Sequence, residues 1–376
     1  MSNWTPRPFE RNGAANGVPP EYLAPLLAEG QRLRTLGVPV IFTLGHLAAI
    51  CHVPYRFLRD IVGRQFDPYR VFNIKKRTGG YRQITVPEPH LMTVQHWLHN
   101  TILLRAKTHV SSTAYRAGCS PVQNAREHCL ARWLVKVDVK SFFESISERQ
   151  VYHAFRSLGY PALISFELAR LCTRFPMGKA KAKMRRWRTN AKTYQIPAYK
   201  TTFVGHLPQG APTSPMLANI VCFRLDEQLS ALAREHGCHF TRYADDIVFS
   251  GDSLDRPTAR ALVRRISRLL SIFGFRVNDR KTHIVPPGAR KVVTGLLVDN
   301  DQPHLTKQFR DRILVHLYHA KARGIEAHCR RRKFRSLLGF YNHLNGLIIY
   351  AEYVDAAFGA KCRAEFETLA WGILAG

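Results

Sequence analysis

The sequence predicts a mixed α/β fold of the α+β kind, and three observations support this prediction. Runs such as "WLVKVD" (133–138) and "DIVFS" (246–250) have the β-branched and aromatic composition of strands. Two runs with period-two alternation flank "RTGG" (77–80), which predicts a β-hairpin with a glycine-containing turn. From about residue 304 onwards, apolar residues recur at helical spacing.

The N-terminal part is predicted to place helices on both sides of this hairpin. Residues 1–40 are rich in Pro and Gly, which indicates an extended entry with one short helix. A helix is expected over residues 43–63, with Thr43 as its N-cap and Gly63 near its end. After the hairpin, residues 91–108 return to helical spacing.

The central part is predicted to combine strands, an amphipathic helix and a long basic segment. Pro257 in the first turn and Gly274 at the end delimit an amphipathic helix, and short strands are expected over 275–298. Residues 174–200 hold nine Lys or Arg and no acid. That composition is typical of a solvated loop that becomes ordered on a phosphate backbone.

Net charge is the strongest global property of the sequence. The 376 residues contain 56 Lys and Arg against 27 Asp and Glu, a formal net charge of +29 at pH 7. A polyanion relieves this self-repulsion, and counterion release would drive the association. Because no basic amphipathic membrane anchor is evident, the sequence favours nucleic acid as partner, with "RRRKFR" (330–335) as one contact.

The sequence also carries expectations about the compartment. No apolar stretch is long enough to cross a bilayer, and the N-terminus has no apolar signal core. The eight cysteines are scattered and form no CxxC pair, so we expect reduced thiols rather than disulfides or a zinc ribbon. We therefore expect a cytoplasmic protein without a membrane partner.

Three aspartates suggest a metal site. Asp138 ends a predicted strand, and Asp245 and Asp246 are adjacent within a run that otherwise resembles a strand. Carboxylates that converge repel each other unless they hold hard cations, and Mg²⁺ takes few carboxylates while leaving positions for phosphate oxygens. Two such ions can activate an attacking hydroxyl and stabilise the leaving oxygen of a phosphoryl transfer. The alternative is a polar hairpin tip exposed to solvent.

Five motifs, in the family's order, give the sequence a resemblance to the reverse transcriptases. "YADD" (243–246) resembles their catalytic motif, and "LPQGAPTSPMLAN" (207–219) resembles the block before it. "VKVDVKSFFESI" (135–146) resembles the block with the first metal-binding aspartate. "IKKRTGGYR" (74–82) resembles the fingers hairpin, and "NDRKTHIV" (278–285) the later block with a positioned lysine. Two further elements, "NAREH" (124–128) and "VTG" (293–295), resemble those of retron reverse transcriptases.

The resemblance implies a right-hand polymerase with fingers, an antiparallel-sheet palm that carries YADD, and a basic α-helical thumb. The implied regions are an N-terminal extension (1–40), fingers with part of the palm (41–135), a palm (136–298) with a basic insertion (174–200), and a helical thumb (299–376).

The resemblance also implies roles for single residues. Asp138 and Asp245 are expected as catalytic metal ligands, with Asp246 as a third acid and the backbone carbonyl of Val139 as a further ligand. Lys281 is expected to protonate the pyrophosphate leaving group or to neutralise it.

Other residues are expected to bind the nucleotide. Lys76 and Arg82 flank the hairpin turn and would hold the triphosphate. Phe143 would lie under the sugar, where an aromatic ring excludes a 2′-OH, and Gln209 would line the pocket. Core packing is the alternative for Phe143. A solvated surface position is the alternative for Lys76, Arg82 and Lys281.

Contact with RNA is expected at the two retron elements. Asn124 and His128 lie four residues apart and are expected to contact a structured RNA, although a role only in organising the fold is the alternative. Thr294 and Gly295 are expected near the primer, where a small residue allows close approach of the backbone.

The implied function is RNA-directed DNA synthesis with two Mg²⁺ ions and deoxynucleoside triphosphates. By resemblance, a cognate structured non-coding RNA (msr-msd) would serve as template and primer. Synthesis would start from the 2′-OH of a branching guanosine and give RNA-linked multicopy single-stranded DNA (msDNA). The implied setting is bacterial antiphage defence beside a retron effector protein, with host RNase H removing the template.

Three alternatives stay open at this point. The first is a different prokaryotic reverse transcriptase, of the group II intron or diversity-generating kind, which the two retron elements disfavour. The second is a basic RNA-binding scaffold that restrains a toxic effector, which the intact aspartates disfavour. The third is an untemplated or abortive-infection polymerase, which a test of template dependence would distinguish.

Overall fold

The computed structural model describes residues 4–75, 79–175 and 204–371 of the chain. Lys76 and nearly all of the basic insertion therefore lie outside the described residues. Within them, helices and antiparallel sheets alternate along the chain, as the predicted α+β class requires.

The N-terminal residues are more helical than the sequence predicts. They form two helices, each with a proline in its first turn, where the missing N–H is not needed. The helix expected over 43–63 is divided near Pro54, because proline cannot continue a helix. The predicted N-cap is confirmed, since the Thr43 side chain accepts a hydrogen bond from the backbone N–H of His46. The helices are α1 (Pro6–Ala15), α2 (Pro20–Thr35), α3 (Leu44–Ile50) and α4 (Tyr55–Val62).

The predicted β-hairpin is confirmed. Strands β1 (Tyr69–Lys75) and β2 (Tyr81–Pro87) pair in antiparallel fashion, and most of their residues are exposed. The hairpin is attached to the rest of the molecule at Thr85, whose backbone N–H donates to the carbonyl of Gln209 at 2.8 Å. Helix α5 (Pro89–Thr101) follows and ends before the expected residue 108.

A four-stranded antiparallel sheet, here called the central sheet, lies in the middle of the molecule. Its strands are β3 (Trp133–Asp138), β4 (His239–Tyr243), β5 (Asp246–Gly251) and β6 (His283–Val285), in the order β4-β5-β3-β6. Val137 and Phe249 on one face join the larger hydrophobic core. Leu134 and Val248 on the other face join a second core, shared with the C-terminal helices.

Helices of the larger core cover one face of the central sheet. The predicted amphipathic helix is confirmed over Arg256–Ile272 (α12): Asp255 caps its start by accepting a hydrogen bond from the backbone N–H of Thr258, and the helix ends before Gly274. Helix α6 (Pro121–Arg126) packs on the second core, and the helices of the larger core are α7 (Phe142–Ser145), α8 (Glu148–Ser157), α9 (Ala162–Cys172), α10 (Ser214–Val221), α11 (Phe223–Glu235) and α12 (Arg256–Ile272).

The C-terminal part is helical beyond residue 306, as predicted. A small antiparallel sheet of β7 (Val292–Val293), β8 (Leu296–Leu297) and β9 (His304–Leu305) precedes these helices. The helices, which pack on the second core, are α13 (Lys307–Arg323), α14 (Ile325–Arg331), α15 (Leu337–Val354) and α16 (Ala356–Glu367).

Two global expectations can be compared with this structure. Of the helices in the described part of the chain, none is long and apolar enough to span a membrane. The eight cysteines all lie in described residues, and all have free thiols.

Candidate active site

A tight turn between β4 and β5 presents the adjacent aspartates. Tyr243 pairs with Asp246, so that only Ala244 and Asp245 form the turn. Ala244 has a φ of 57°, a left-handed conformation that glycine usually occupies at this position of a hairpin. A strained residue that is retained at a turn is typical of functional sites. The turn places Asp246 at the start of β5, directly opposite Asp138 in β3.

Like charges that face each other across two strands destabilise a sheet, and two lysines compensate for this pair. Lys281 Nζ lies 2.8 Å from one carboxylate oxygen of Asp138, while the side-chain amide of Asn278 donates to the other at 2.8 Å. Lys136 Nζ lies 3.4 Å from Asp246. Among the described residues, no basic side chain is within salt-bridge distance of Asp245.

The acids carry more negative charge than their surroundings favour. Burial raises the pKa of Asp245 above its ordinary value, and the charges of Asp138 and Asp246 raise it further. Burial also raises the pKa of Asp246, although Lys136 opposes this shift. The hydrogen bond to Asp138 raises the pKa of Lys281. The cluster therefore favours additional positive charge.

The donor set fits a hard divalent cation. Within the parts of the chain that the structure describes, no three His, Cys, Asp or Glu side chains form a ready-made metal site. Two of the three acids instead form ion pairs with lysines. A cation would therefore have to compete with the ammonium groups that already neutralise these carboxylates. The available ligands are carboxylate oxygens next to an open cavity, which is what Mg²⁺ requires.

Two cavities meet at these acids. One, of about 470 Å³, is lined by the three aspartates together with Lys136, Tyr243, Lys281, His283, Pro121 and Thr294. The other, of about 480 Å³, shares Asp138, Asp245 and Lys281 with the first and extends towards the hairpin. Its further lining includes Arg82, Val139, Phe143 and Gln209 together with Tyr81, Tyr115, Lys140, Ser141 and Asn278. The structure thus brings the expected nucleotide-binding residues of the described part to one cavity.

Neighbouring phenylalanines in this region differ in burial. Phe142 is buried against Phe275, with ring centroids 5.7 Å apart, and Phe143 is partly exposed; both are among the residues that line the second cavity. The ring of Tyr115 lies 6.3 Å from that of Phe143 and is 43% exposed. Sequence reasoning missed Tyr115, because it reaches the cavity from a loop far away in the sequence.

The loop with Gln209 is fixed against the hairpin. Gly210 has a φ of 118°, and a Cβ atom there would lie 2.9 Å from the Ile84 side chain and 3.0 Å from the Thr85 carbonyl oxygen. Only glycine permits both this conformation and this approach. The contact sets the position of Arg82 relative to Gln209 across the cavity.

The two retron elements have different positions. Thr294 lines the first cavity and donates a hydrogen bond to the carbonyl of Pro121 at 2.7 Å, and Gly295 is exposed beside it with a φ of 87°. A place near the acids is compatible with the expected primer contact, which stays a prediction.

Asn124 and His128 require a correction, because both side chains are completely buried. The ring nitrogens of His128 lie 2.7 Å from the hydroxyls of Ser250 and Thr241, on β5 and β4. Asn124 accepts a hydrogen bond from the Thr113 hydroxyl at 2.6 Å. Direct RNA contact through these two side chains is inconsistent with this burial, and the structure supports the alternative role in organising the fold.

A buried ion pair beneath the turn was not predicted from the sequence. Arg242 donates two 2.7 Å hydrogen bonds to Asp226, and both side chains are completely inaccessible. The same guanidinium donates to the Ala244 carbonyl at 3.2 Å and to the Ser112 hydroxyl at 3.0 Å. Although burial opposes its charge, Asp226 raises the pKa of Arg242 overall. Arg242 therefore supports the turn that carries the acids.

An antiparallel sheet that presents three acids, next to a cavity with an arginine, a glutamine and an aromatic wall, defines the site of a template-directed nucleotide polymerase. The family model described as reverse transcriptase (RNA-dependent DNA polymerase) matches residues 74–308. The chain belongs to the reverse transcriptases, so the central sheet is the palm and the hairpin is part of the fingers.

Curated relatives indicate which group of reverse transcriptases the chain resembles. The chain is 31% identical over 339 residues to the retron Mx65 reverse transcriptase of Myxococcus xanthus, which covers 89% of this chain and 73% of that protein. It is 29% identical over 293 residues to the retron Ec86 reverse transcriptase of Escherichia coli, which covers 77% and 81% respectively. Identity to the retron Mx162 reverse transcriptase of Myxococcus xanthus is 35% over 239 residues, 61% of this chain and 47% of that protein.

These similarities identify the chain as a retron reverse transcriptase. The predicted fold class and the RNA-directed DNA polymerase activity are confirmed. Enzymes of this family use divalent metal ions, and those of retrons act with a non-coding RNA and deoxynucleoside triphosphates. The roles of individual residues stay predictions.

Proposed function

We propose that this enzyme converts its cognate msr-msd RNA into RNA-linked msDNA, starting from the 2′-OH of a branching guanosine. The observation that supports this most directly is the contact between the two cavities at the acids. One cavity has the residues for a triphosphate and a sugar, and the other extends from the acids to Thr294 and Pro121. A nucleotide and a primer end can therefore meet at Asp138 and Asp245.

Each residue around the nucleotide has a role that follows from its chemistry. The Arg82 guanidinium binds phosphate oxygens through paired hydrogen bonds. Phe143 forms the wall against the sugar, and a ribonucleotide 2′-OH would have to displace its ring. Lys281, with its raised pKa, stays charged at neutral pH and donates a proton or a hydrogen bond to the departing pyrophosphate.

Asp138, Asp245 and Asp246, with the Val139 carbonyl, are the residues that would hold two Mg²⁺ ions. Bound there, the ions would lower the pKa of the attacking hydroxyl and neutralise charge on the phosphates. The chain itself contributes the fixed positions of the acids, which depend on the two-residue turn and on the Arg242 support.

We further propose that the RNA–DNA product and the polymerase act in antiphage defence by restraining an effector protein, with host RNase H trimming the template. This part rests on the retron membership alone. Deletion of the effector gene should relieve any toxicity that appears when the polymerase is inactivated, and persistent toxicity would contradict the proposal.

The synthesis step is tested by expressing the enzyme together with the transcript of the DNA upstream of its gene. A denaturing gel should show DNA that shortens by its RNA portion after treatment with ribonuclease and debranching enzyme. Asp245→Asn should give no such product, and Asp301→Asn, at an exposed loop residue, should give the wild-type amount.

Two outcomes distinguish a failure of the proposed RNA priming from a failure of the proposed metal ligands. Extension of an ordinary annealed primer, without any DNA linked to the upstream transcript, would contradict the retron-specific priming and leave the polymerase activity intact. DNA synthesis by Asp245→Asn would contradict the assignment of the metal ligands.

A further inference from the structure

A row of arginines lies on a surface that the polymerase reaction does not use. Arg256, Arg260 and Arg264 are exposed and spaced four residues apart on α12. Together with Val263, Thr282 and the β6 residue Ile284, they line a groove of about 410 Å³. Four residues of α-helix advance about 6 Å, so successive guanidinium groups follow the helix at a spacing close to that of phosphates along a strand.

The groove is separated from the active site by a single strand. Thr282 and Ile284 line the arginine groove, whereas Lys281 and His283, which alternate with them, line the cavity of the catalytic acids. His283 and Ile284 are successive residues of β6 and so point to opposite faces, and Lys281 and Thr282 belong to the turn that leads into this strand. Because β6 is an edge strand of the central sheet, a chain that leaves the catalytic cavity can pass around this edge into the groove.

The arginines of this row have charge available for a ligand. In the part of the chain that the structure describes, none of the three forms an ion pair with a carboxylate. Asp255, which precedes Arg256, instead accepts a hydrogen bond from the Thr258 backbone N–H. By contrast, Arg265 on the same helix pairs with Glu235 of α11. Three arginines without an ion pair among the described residues thus lie on the face towards β6, while Arg268 lies with Arg265 on the face towards α11.

We propose that this groove binds the phosphate backbone of the cognate RNA outside the catalytic cavity, next to the segment that is being copied. The proposal rests on the proposed function, since it names where that same RNA is held. RNA is favoured over an acidic protein surface because the charges form a regular row with one-turn spacing rather than a scattered patch. It is also favoured by position, because His283 of β6 and Lys281, just before this strand, line the neighbouring cavity of the catalytic acids.

Such a contact would have a specific use. An RNA that serves as both template and primer must stay bound while its copied portion moves through the site. Phosphate contacts hold such a molecule without reading its sequence. The groove would anchor a part of the RNA that does not move, so that repeated addition steps do not release the complex.

The test compares two double variants of equal charge. Arg260→Gln/Arg264→Gln removes two of the three arginines of the row, and Arg234→Gln/Arg265→Gln removes two exposed arginines around Glu235 on α11 and α12. The probes are the labelled transcript of the upstream DNA and a short RNA template annealed to a DNA primer. Binding is measured by fluorescence anisotropy over a series of salt concentrations, and extension is measured on the short duplex.

The proposal predicts that the row variant binds the upstream transcript about tenfold more weakly at about 0.15 M salt, with a salt slope smaller by about 2. Its extension of the short duplex should stay within about twofold of wild type, and the control variant should match wild type in both assays. Equal losses in both variants, or unchanged RNA binding with weaker binding to polyglutamate, would overturn it. If RNA-linked DNA is never formed but the row still controls RNA binding, the proposed function fails and this inference stands.

Discussion

Two groups of aspartates in the palm, which Arg242 links through Asp226 and the Ala244 carbonyl, are stabilised in opposite ways. Asp226 is fully buried, yet Arg242 donates two hydrogen bonds to it and neutralises its charge. Asp138, Asp245 and Asp246 are partly accessible, Asp138 faces Asp246 across the sheet, and in the described part of the chain two lysines form ion pairs with these three acids. The same side chain thus serves as a structural group in one place and as an unsatisfied ligand in the other.

The difference teaches how the fold supports its site. A buried ion pair is not strongly stabilising in itself, but loss of one partner leaves an unpaired charge in the interior. Arg242 uses the pair to hold the Ala244 carbonyl, and so fixes the turn on which the less favourable acids stand. The neutralised Asp226–Arg242 pair below the turn thus holds in place the turn that carries the incompletely neutralised acids.

The largest expected effect is on catalysis at the tip. Asp245→Asn should lower the rate of nucleotide addition by about three orders of magnitude or more, because a metal ligand is lost. Without divalent ions, the same variant should be more stable than wild type by about 0.5–2 kcal/mol, since it removes a repelling charge. Primer extension and chemical unfolding measure the two effects, with Asp301→Asn as the control.

The sign of the stability effect also depends on pH. The pKa of Asp245 is raised in the folded protein, so protonation favours folding, and its unfavourable contribution grows as pH rises through that pKa. The stability difference between Asp245→Asn and wild type should therefore shrink as pH falls from 7 towards 4. A constant difference would contradict the assigned origin.

The next largest effect should appear below the turn. Asp226→Asn should destabilise the protein by about 3–5 kcal/mol, because it leaves the Arg242 charge buried without a partner. The double variant Asp226→Leu/Arg242→Met should recover much of this stability but keep reduced activity, since the Ala244 carbonyl loses its donor. Equal stability of the single and the double variant in urea unfolding would contradict the claim that the unpaired Arg242 charge causes the destabilisation.

Adjacent phenylalanines sharpen the same contrast between interior and site. Phe143→Val should raise ribonucleotide incorporation relative to deoxynucleotide incorporation by about tenfold to a hundredfold, a difference of about 1.4–2.7 kcal/mol. Phe142→Val should instead lower stability by about 1–3 kcal/mol and change this ratio less than Phe143→Val does, because the Phe142 ring is buried and packs on Phe275. Single-nucleotide incorporation kinetics on both variants make the test.

A smaller effect is expected from the buried histidine of the NAREH element. Burial lowers the pKa of His128 to about 3, whereas an unfolded histidine takes up a proton near pH 6.5. The unfolded state therefore binds more protons between these values, and His128 costs up to about 1.4 kcal/mol of stability per pH unit as pH falls. His128→Gln should flatten this dependence, and His153→Gln, at an exposed residue of α8, should not.

Local motifs were sufficient for much of this account. The hairpin, α12 and the strands that carry Asp138 and Asp246 follow from patterns within a few residues, and the resemblance supplied their spatial relation. The orientation of Asn124 and His128 does not follow from such patterns, because Thr113, Thr241 and Ser250 are distant in sequence. The support by Arg242 and the place of Tyr115 were missed for the same reason, and the proline-led N-terminal helices because their composition resembles that of a loop.

The most direct test of the contrast between the two aspartate groups is a thermal unfolding series with increasing Mg²⁺ at constant ionic strength. Wild type should become more stable as Mg²⁺ relieves the repulsion at the tip, by an amount that grows with the logarithm of concentration above the Kd. Asp245→Asn should start at a higher Tm and respond little. An equal rise in both proteins, or none in wild type, would contradict the claim that these acids are held ready for divalent cations.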